Sequence, residues 1–273
     1  MLTKSFNRVS GDTRGVLFNW STPGGGGVYS WYWPNQYSGV ASDLDNAATS
    51  LATGLTAAAA SIEAADKQFK QANDVERVGA EACSRYLGPG FRAVRQAAIS
   101  ERQTTAAVRY SLRQPLEATA SPNGTAVDAI QRVEIRQMLR SQFGNDLGAA
   151  YKWCVEGGLN ILNAVVPYIA LTQFKDDPQL IALLENEFAI AKTIKFMSND
   201  PSDNFSTPAD PLQNRMSDES LRILATAKID QIKQREEAVD MAAKLLVATI
   251  NFTMQSANVS DSQALDLLMG KPA

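Results

Sequence analysis

Two stretches of this sequence space their apolar residues four and three apart over many turns, and that rhythm limits what the chain can become. The first is Leu51, Leu55, Ala58, Ile62, Ala65, Phe69 and Ala72. The second is Ala225, Ile229, Ile232, Val239, Ala243, Leu246 and Ile250, with Glu236 falling on the seam. An α-helix with one buried stripe gives this spacing, and the alanines let neighbouring helices approach closely. Ser42 followed by Asp43 and Asp45 predicts the start of the first helix. Gly88-Pro89-Gly90 predicts its end near Leu87. Ser217 before Asp218 and Glu219 predicts the start of the second. Helices of about 45 and 41 residues would span about 67 and 62 Å, against a radius of gyration of about 18–19 Å for a compact chain of this length. The expected fold is therefore mainly α, an elongated multi-helix bundle.

Between these stretches the punctuation predicts shorter helices. They cover Phe91 to Glu117, Val127 to Phe143 and Leu147 to Phe174, then Pro178 to Met197 and finally Asp261 to Met269. Ser121-Pro122-Asn123-Gly124 reads as a turn. Gly157-Gly158 and Pro167 are weak points in the fourth of the chain's helices. Residues 198–216, with Pro201, Pro208 and Pro211, read as a long loop. The uncharged 18 residues Gly157–Phe174 contain Asn160, Asn163, Pro167 and Gln173, so they read as a buried helix rather than a membrane span.

Composition changes near residue 40. The first 39 residues hold eight of the 21 aromatics and the run Gly24–Gly27. They form an expected first region, 1–39, a Gly/aromatic-rich N-terminal arm or small β-hairpin, followed by a helical region, 40–273. Val16–Trp20 and Val28–Trp33 are the candidate strands. The glycine run has no Lys-Ser/Thr after it and opens no helix, so it is not a phosphate cradle. Adjacent aromatics cannot all face inward on a short strand. Trp31, Tyr32 and Trp33 could cap one end of the bundle, and Trp20, Tyr29, Trp31, Tyr32, Trp33 and Tyr37 are candidates for contact with a partner subunit, with a membrane interface as a third reading.

The chain contains no histidine. That excludes Ser-His-Asp and Cys-His catalysis and every His-containing metal site. Cys83 and Cys154 are too few for a four-cysteine site and read as small buried side chains. No carboxylate spacing supports a metal or an acid–base pair. The expectation is a chain without enzymatic activity, cofactor or metal.

Charge is unevenly spread. Residues 67–140 carry 12 basic against seven acidic residues, and 141–273 carry 11 against 17. Arg92, Arg95, Arg102, Arg109 and Arg113 fall within an arc of about 100° at helical spacing. Arg132, Arg136 and Arg140 make a second stripe four residues apart. These arginines suit a solvated face, an acidic protein surface in the same or a neighbouring subunit, or nucleic-acid phosphates. Interleaved aromatics are absent, which favours the protein surface.

The functional expectation is a structural protein that assembles with itself, as a homo-oligomer, and with other assembly subunits. A bacteriophage virion component, whether internal, connector or tail-associated, fits that style. Two other readings stand beside it, a helical pore-forming or membrane-inserting protein and a nucleic-acid-binding scaffold. Met1–Ser5 has no apolar run behind its charge, so synthesis in the cytoplasm without a signal peptide is expected, with a virion as destination.

Overall fold

A computed structural model describes residues 5–9, 15–21, 29–69, 71–116, 122–199 and 217–271, with backbone alone for 5–9, 15–21, 29–32, 35, 122–127 and 198–199. Three strands open the chain, β1 (Ser5–Val9), β2 (Gly15–Ser21) and β3 (Tyr29–Pro34). They form an antiparallel sheet in sequence order, with Phe6 opposite Trp20, Phe18 opposite Trp31 and Val16 opposite Trp33. The hairpin alternative for the arm is therefore the observed one, extended by a third strand. The glycine run of residues 24–27 lies outside the described residues.

Every element described after the sheet is helical, in keeping with the mainly α bundle expected. Helix α1 (Ser42–Gln68) buries Leu44, Ala48, Leu51, Leu55, Ala58, Ile62 and Ala65. The predicted seam holds as far as Ala65. Ser42 is the first helical residue rather than the cap, and Asp45 N–H bonds the carbonyl of Ala41. The helix does not run on to Leu87. Phe69 is extended (φ −100°, ψ 138°), and the chain turns back into α2 (Ala72–Ala82). A turn here lets α2 and the π turn that follows it, Cys83–Leu87, pack along α1. The small-residue seam is thereby covered within the chain, which a straight helix of 45 residues could not do.

Gly88-Pro89-Gly90 does not stop the helix either. In the π turn Gly88 N–H bonds Cys83 O, five residues back. The hydrogen-bond ladder has already shifted register at Pro89, which has no N–H to place. Helix α3 then continues from Gly88 to Arg113.

The remaining helices are α4 (Pro122–Phe143), α5 (Leu147–Glu156), α6 (Gly158–Val165), α7 (Pro178–Asn199), α8 (Asp218–Ala257) and α9 (Asp261–Met269). Gly157–Phe174 is not one helix. Gly158 takes φ 65°, and Val166–Leu171 is a 3-10 segment broken at Tyr168 (φ −122°, ψ 29°). Asp177 Oδ1 accepts from Gln179 and Leu180 N–H to cap α7. Ser217 Oγ accepts from Ser220 N–H at the head of α8. Ser260 and Gln263 form a capping box on α9.

The seam of α8 changes line partway along. Ala225 and Ile229 are buried as predicted, but further on the buried residues are Ala238, Ala242, Leu245, Thr249, Phe252 and Thr253, while Ala243 is exposed. The predicted line is displaced by one residue. Thr249 and Thr253 can take core positions because each hydroxyl bonds the carbonyl four residues back, at 2.9 and 3.0 Å.

The packing divides the chain differently from the composition change near residue 40. Unit 1 is residues 1–105 with 233–273, and unit 2 is residues 106–232. The core of unit 1 runs from Trp33 through the seam of α1 to Phe91, Leu245 and Leu268. Two glycines set its closest approaches. A methyl group on Gly54 would meet the Tyr86 carbonyl, and one on Gly79 would meet the Ser256 carbonyl. Unit 2 has two clusters, one around Leu139, Cys154, Phe174 and Phe188, the other around Ile190, Leu221 and Ile229.

Candidate functional site

The arginines of α3 meet different fates. Arg92 Nη1 donates to Leu268 O at 2.9 Å, covering a carbonyl left over at the end of α9. Arg95 and Arg102 are exposed and have no partner among the described residues. Arg109 is half-buried. Arg113 donates to Glu185 Oε2 at 2.8 Å, a pair inside unit 2 between the basic and acidic parts of the sequence. The predicted stripe is thus real as a helix face, but only its middle is open.

The second stripe is turned inward. Arg132 Nη2 donates to Leu116 O at 3.0 Å, Arg136 Nη1 to Ala164 O at 2.8 Å, and Arg140 Nη2 to Leu171 O. These acceptors exist because the helices near them end or break. Pro167 supplies no N–H, and the α-helical ladder gives way to 3-10 turns at Val166. Arg136 also lies 4.5 Å above the Tyr168 ring. Its burial pushes the guanidinium below its ordinary value, with the neighbouring charges of Arg140 and Arg132 acting the same way, yet it stays ionised. Three guanidiniums engaged with backbone oxygens form a clamp on unit 2, and this is a stronger local account of the stripe than a row of phosphate contacts.

Two further residues belong to that clamp, and sequence reasoning passed over both. Lys192 is only 4% exposed. Its Nζ donates to Ser111 O at 2.6 Å and Gln114 O at 2.8 Å, at the C-terminal end of α3 where carbonyls lack helical partners. It sits 5.7 Å from the centre of the Phe188 ring, and burial pushes its ammonium below the usual lysine range. Asn163 does for Leu116 what a strand would: Leu116 N–H donates to Oδ1 at 2.7 Å and Nδ2 donates to Leu116 O at 3.0 Å. The available signal was a lone lysine inside the largely apolar run Phe188–Ile194 and the two amides Asn160 and Asn163 inside Leu159–Val165.

Trp33 packs against the helices, as the capping reading has it, and Tyr37 lies there too rather than at an open partner surface. Each is 3% exposed and packed in the core of unit 1. Trp33 Nε1 donates to Asp45 Oδ1 at 2.7 Å, and the two rings meet edge to face at 5.2 Å. These bonds tie the end of the sheet to the first turn of α1. The backbones of Trp20, Tyr29, Trp31 and Tyr32 pair within the sheet, and their side chains lie outside the described residues.

The open surface is distinctive in unit 2. Of 13 large apolar residues exposed among the described residues, ten belong to unit 2 and three, Ile99, Val247 and Leu265, to unit 1. Helix α4 shows the pattern most clearly. Ile135, Leu139 and Phe143 pack inward and the arginines are bound to carbonyls, while Ile130 (59% exposed), Val133 and Met138 face out. At helical spacing the only charge among those three is Glu134. An open cavity of about 450 Å³ lies beside Arg140 and Lys175, and no acidic residue lines it. Arg140 is already engaged with Leu171 O there.

Cys83 and Cys154 are free thiols, both fully buried. Burial pushes Cys154 up to about 12, which removes any reactive thiolate at neutral pH. Among the described residues no helix is long and apolar enough to cross a membrane, and no three of Cys, Asp and Glu converge as a metal-holding group. No protein-family model matches the chain, and neither curated proteins nor solved structures give a match.

Proposed function

We propose that this chain is a non-enzymatic assembly protein acting as a symmetric homo-oligomer inside a larger structure, of the kind a bacteriophage virion uses as an internal, connector or tail-associated component. The supporting observation is the outward face of α4. A helix that binds its arginines to backbone carbonyls and turns Ile130, Val133 and Met138 to solvent has its polar groups satisfied and its apolar groups uncovered. Burying those side chains against another subunit would contribute on the order of 1.5–3 kcal/mol each when burial is complete. Scattered exposed apolar residues are ordinary, but three on one helix face bearing a single charge are the mark of a contact surface. The clamp behind α4 holds that face in place, as a rigid docking surface requires.

Light scattering after size exclusion at several concentrations tests the proposal. The expected result is a defined oligomer, weakened by Ile130→Ser with Val133→Ser and Met138→Ser while helicity is kept. A strict monomer that captures no other assembly component would overturn it.

A further inference from the structure

Unit 1 carries two exposed rows of opposite charge, each with a large apolar residue in line. On α3 the row is Arg95, Ile99 and Arg102. Ile99 is 42% exposed, and no acidic residue shares this face. On α8 Asp240 and Val247 are in line, the latter 57% exposed, and the exposed Glu237 stands about 60° around the helix from Asp240. Neither Arg95 nor Arg102 has a partner among the described residues, and neither Glu237 nor Asp240 has a hydrogen bond or ion pair there. The two carboxylates act on the buried Tyr37 phenol, where they add to the dominant effect of burial in raising its pKa. Four exposed charges thus stand near two of the three large apolar residues of unit 1 that are exposed among the described residues.

We infer that the Arg95–Ile99–Arg102 row of one copy docks on the Glu237–Asp240–Val247 row of a second copy of this chain. The inference rests on the assembly reading above and names a contact for it. The spacings agree. Arg95 and Arg102 are about 10.5 Å apart along a helix, and so are Asp240 and Val247. Laid antiparallel, with Arg102 over Asp240, the rows place Ile99 over Ala243, which is small and exposed, and the aliphatic stem of Arg95 over Val247. Lys244 lies about 50° around the helix from the Asp240–Val247 line, on the side of Glu237 and as far off the line as Ala243, so one positive charge shares this face with the two carboxylates. An arginine fork suits a carboxylate, and the apolar contacts exclude water from the Arg102–Asp240 pair, while Glu237 lies just beyond the end of the arginine row. Opposite charges on one chain favour pairing with another copy over unrelated neighbours of either sign.

Charge reversal tests this on the full chain. Arg95→Glu with Arg102→Glu, and separately Glu237→Lys with Asp240→Lys, should each weaken self-association by about tenfold or more. An equimolar mixture of the two variants should restore it, because each then offers the face the other lacks. Raising the salt to 0.5 M should weaken the wild-type contact. All four positions are exposed, so circular dichroism should be unchanged. If a reversed variant loses helicity, Arg95→Gln with Arg102→Gln takes its place and should weaken association in the same direction. Self-association that no variant moves, or a mixture that fails to restore it, overturns this contact and leaves the assembly reading standing. A monomeric wild type overturns both. If the arginine variant keeps its oligomeric state but loses salt-dependent binding to a DNA duplex, the row belongs to nucleic acid and the inference fails.

Discussion

Unit 1 and unit 2 bury comparable lengths of chain by different means. Unit 1 brings backbones together. The seam of α1 is largely alanine and leucine, Gly54 and Gly79 admit a neighbouring carbonyl where any side chain would collide, and the helices run long. Unit 2 interrupts its helices, at Gly158 and again at Tyr168, and then has to satisfy the freed carbonyls with side chains from elsewhere. Arg136 and Arg140 do that, Arg132 and Asn163 bind Leu116 O, Lys192 binds carbonyls at the end of α3, and the unit is left with most of the large apolar residues exposed among those described. Close packing of small residues leaves unit 1 with only three of the large apolar residues exposed among those described. Irregular backbone held by charged side chains keeps apolar side chains free to face outward, which is where an assembly protein can use them.

The largest effect should come from the close approaches of unit 1. In a solvent-facing helix Gly→Ala adds about 1 kcal/mol of stability through propensity. At Gly79 the new methyl group would fall against the Ser256 carbonyl, a backbone atom that cannot swing away. Gly79→Ala should therefore destabilise by about 3 kcal/mol in spite of the propensity gain. Gly54→Ala, against the Tyr86 carbonyl, should do the same. Thermal denaturation of both variants checks this, and neutral or stabilising substitutions would mean unit 1 is loosely packed after all.

A smaller effect is expected from the clamp of unit 2. Lys192→Met fills the same space but removes both donors to the end of α3, leaving Ser111 O and Gln114 O without their partner. The expected loss is about 2–3 kcal/mol. Arg113→Gln is the control. It breaks a pair whose arginine is 59% exposed, and should change stability by no more than about 0.5 kcal/mol. If the two variants melt alike, the clamp contributes no more than a surface ion pair.

Much of this architecture could be read locally. The spacing from Leu51 to Ala65 predicted the buried face of α1, and Pro178, Ser217 and Ser260 marked helix starts correctly. Gly157-Gly158 and Pro167 became true breaks. What failed was non-local. The end of α1 at Gln68 is marked by no proline or glycine, and α2 and the π turn pack on α1 instead. The α8 seam was misplaced because an apolar-only pattern cannot count threonines that satisfy their own hydroxyls. The stripe Arg132–Arg136–Arg140 was visible as a period, but its acceptors lie 16 to 31 residues away and exist only because helices break there. Lys192 was less visible still, with its acceptors 78 and 81 residues distant. At the surface, periodicity found the α3 face, and only packing distinguished the open Arg95 and Arg102 from the engaged Arg92 and Arg113.

The finest distinction between the units can be read from the two thiols, one in each. Cys83 belongs to unit 1 and Cys154 to unit 2, and both are fully buried, so a thiol reagent reaches them only when the surrounding structure opens. Interrupted helices held by side chains should open more easily than closely packed long ones. Labelling in mild denaturant, with each cysteine followed by the mass of its own peptide, should therefore modify Cys154 first, with an opening free energy about 1 kcal/mol below that of Cys83. The pH dependence has a definite sign. Folding holds the Cys154 thiol neutral, pushed up to about 12 from an ordinary value near 9.0. Below the ordinary value folded and unfolded forms carry the same proton, and nothing changes. As pH rises from about 9 toward 12 the unfolded form ionises and the folded form does not. Opening around Cys154 should then become easier by up to about 1.4 kcal/mol per pH unit. Replacing Cys154 with Ala should remove that part of the alkaline slope in global unfolding. Equal protection of the two thiols, or Cys83 labelled first, would show that the clamp of unit 2 holds as firmly as the glycine contacts of unit 1.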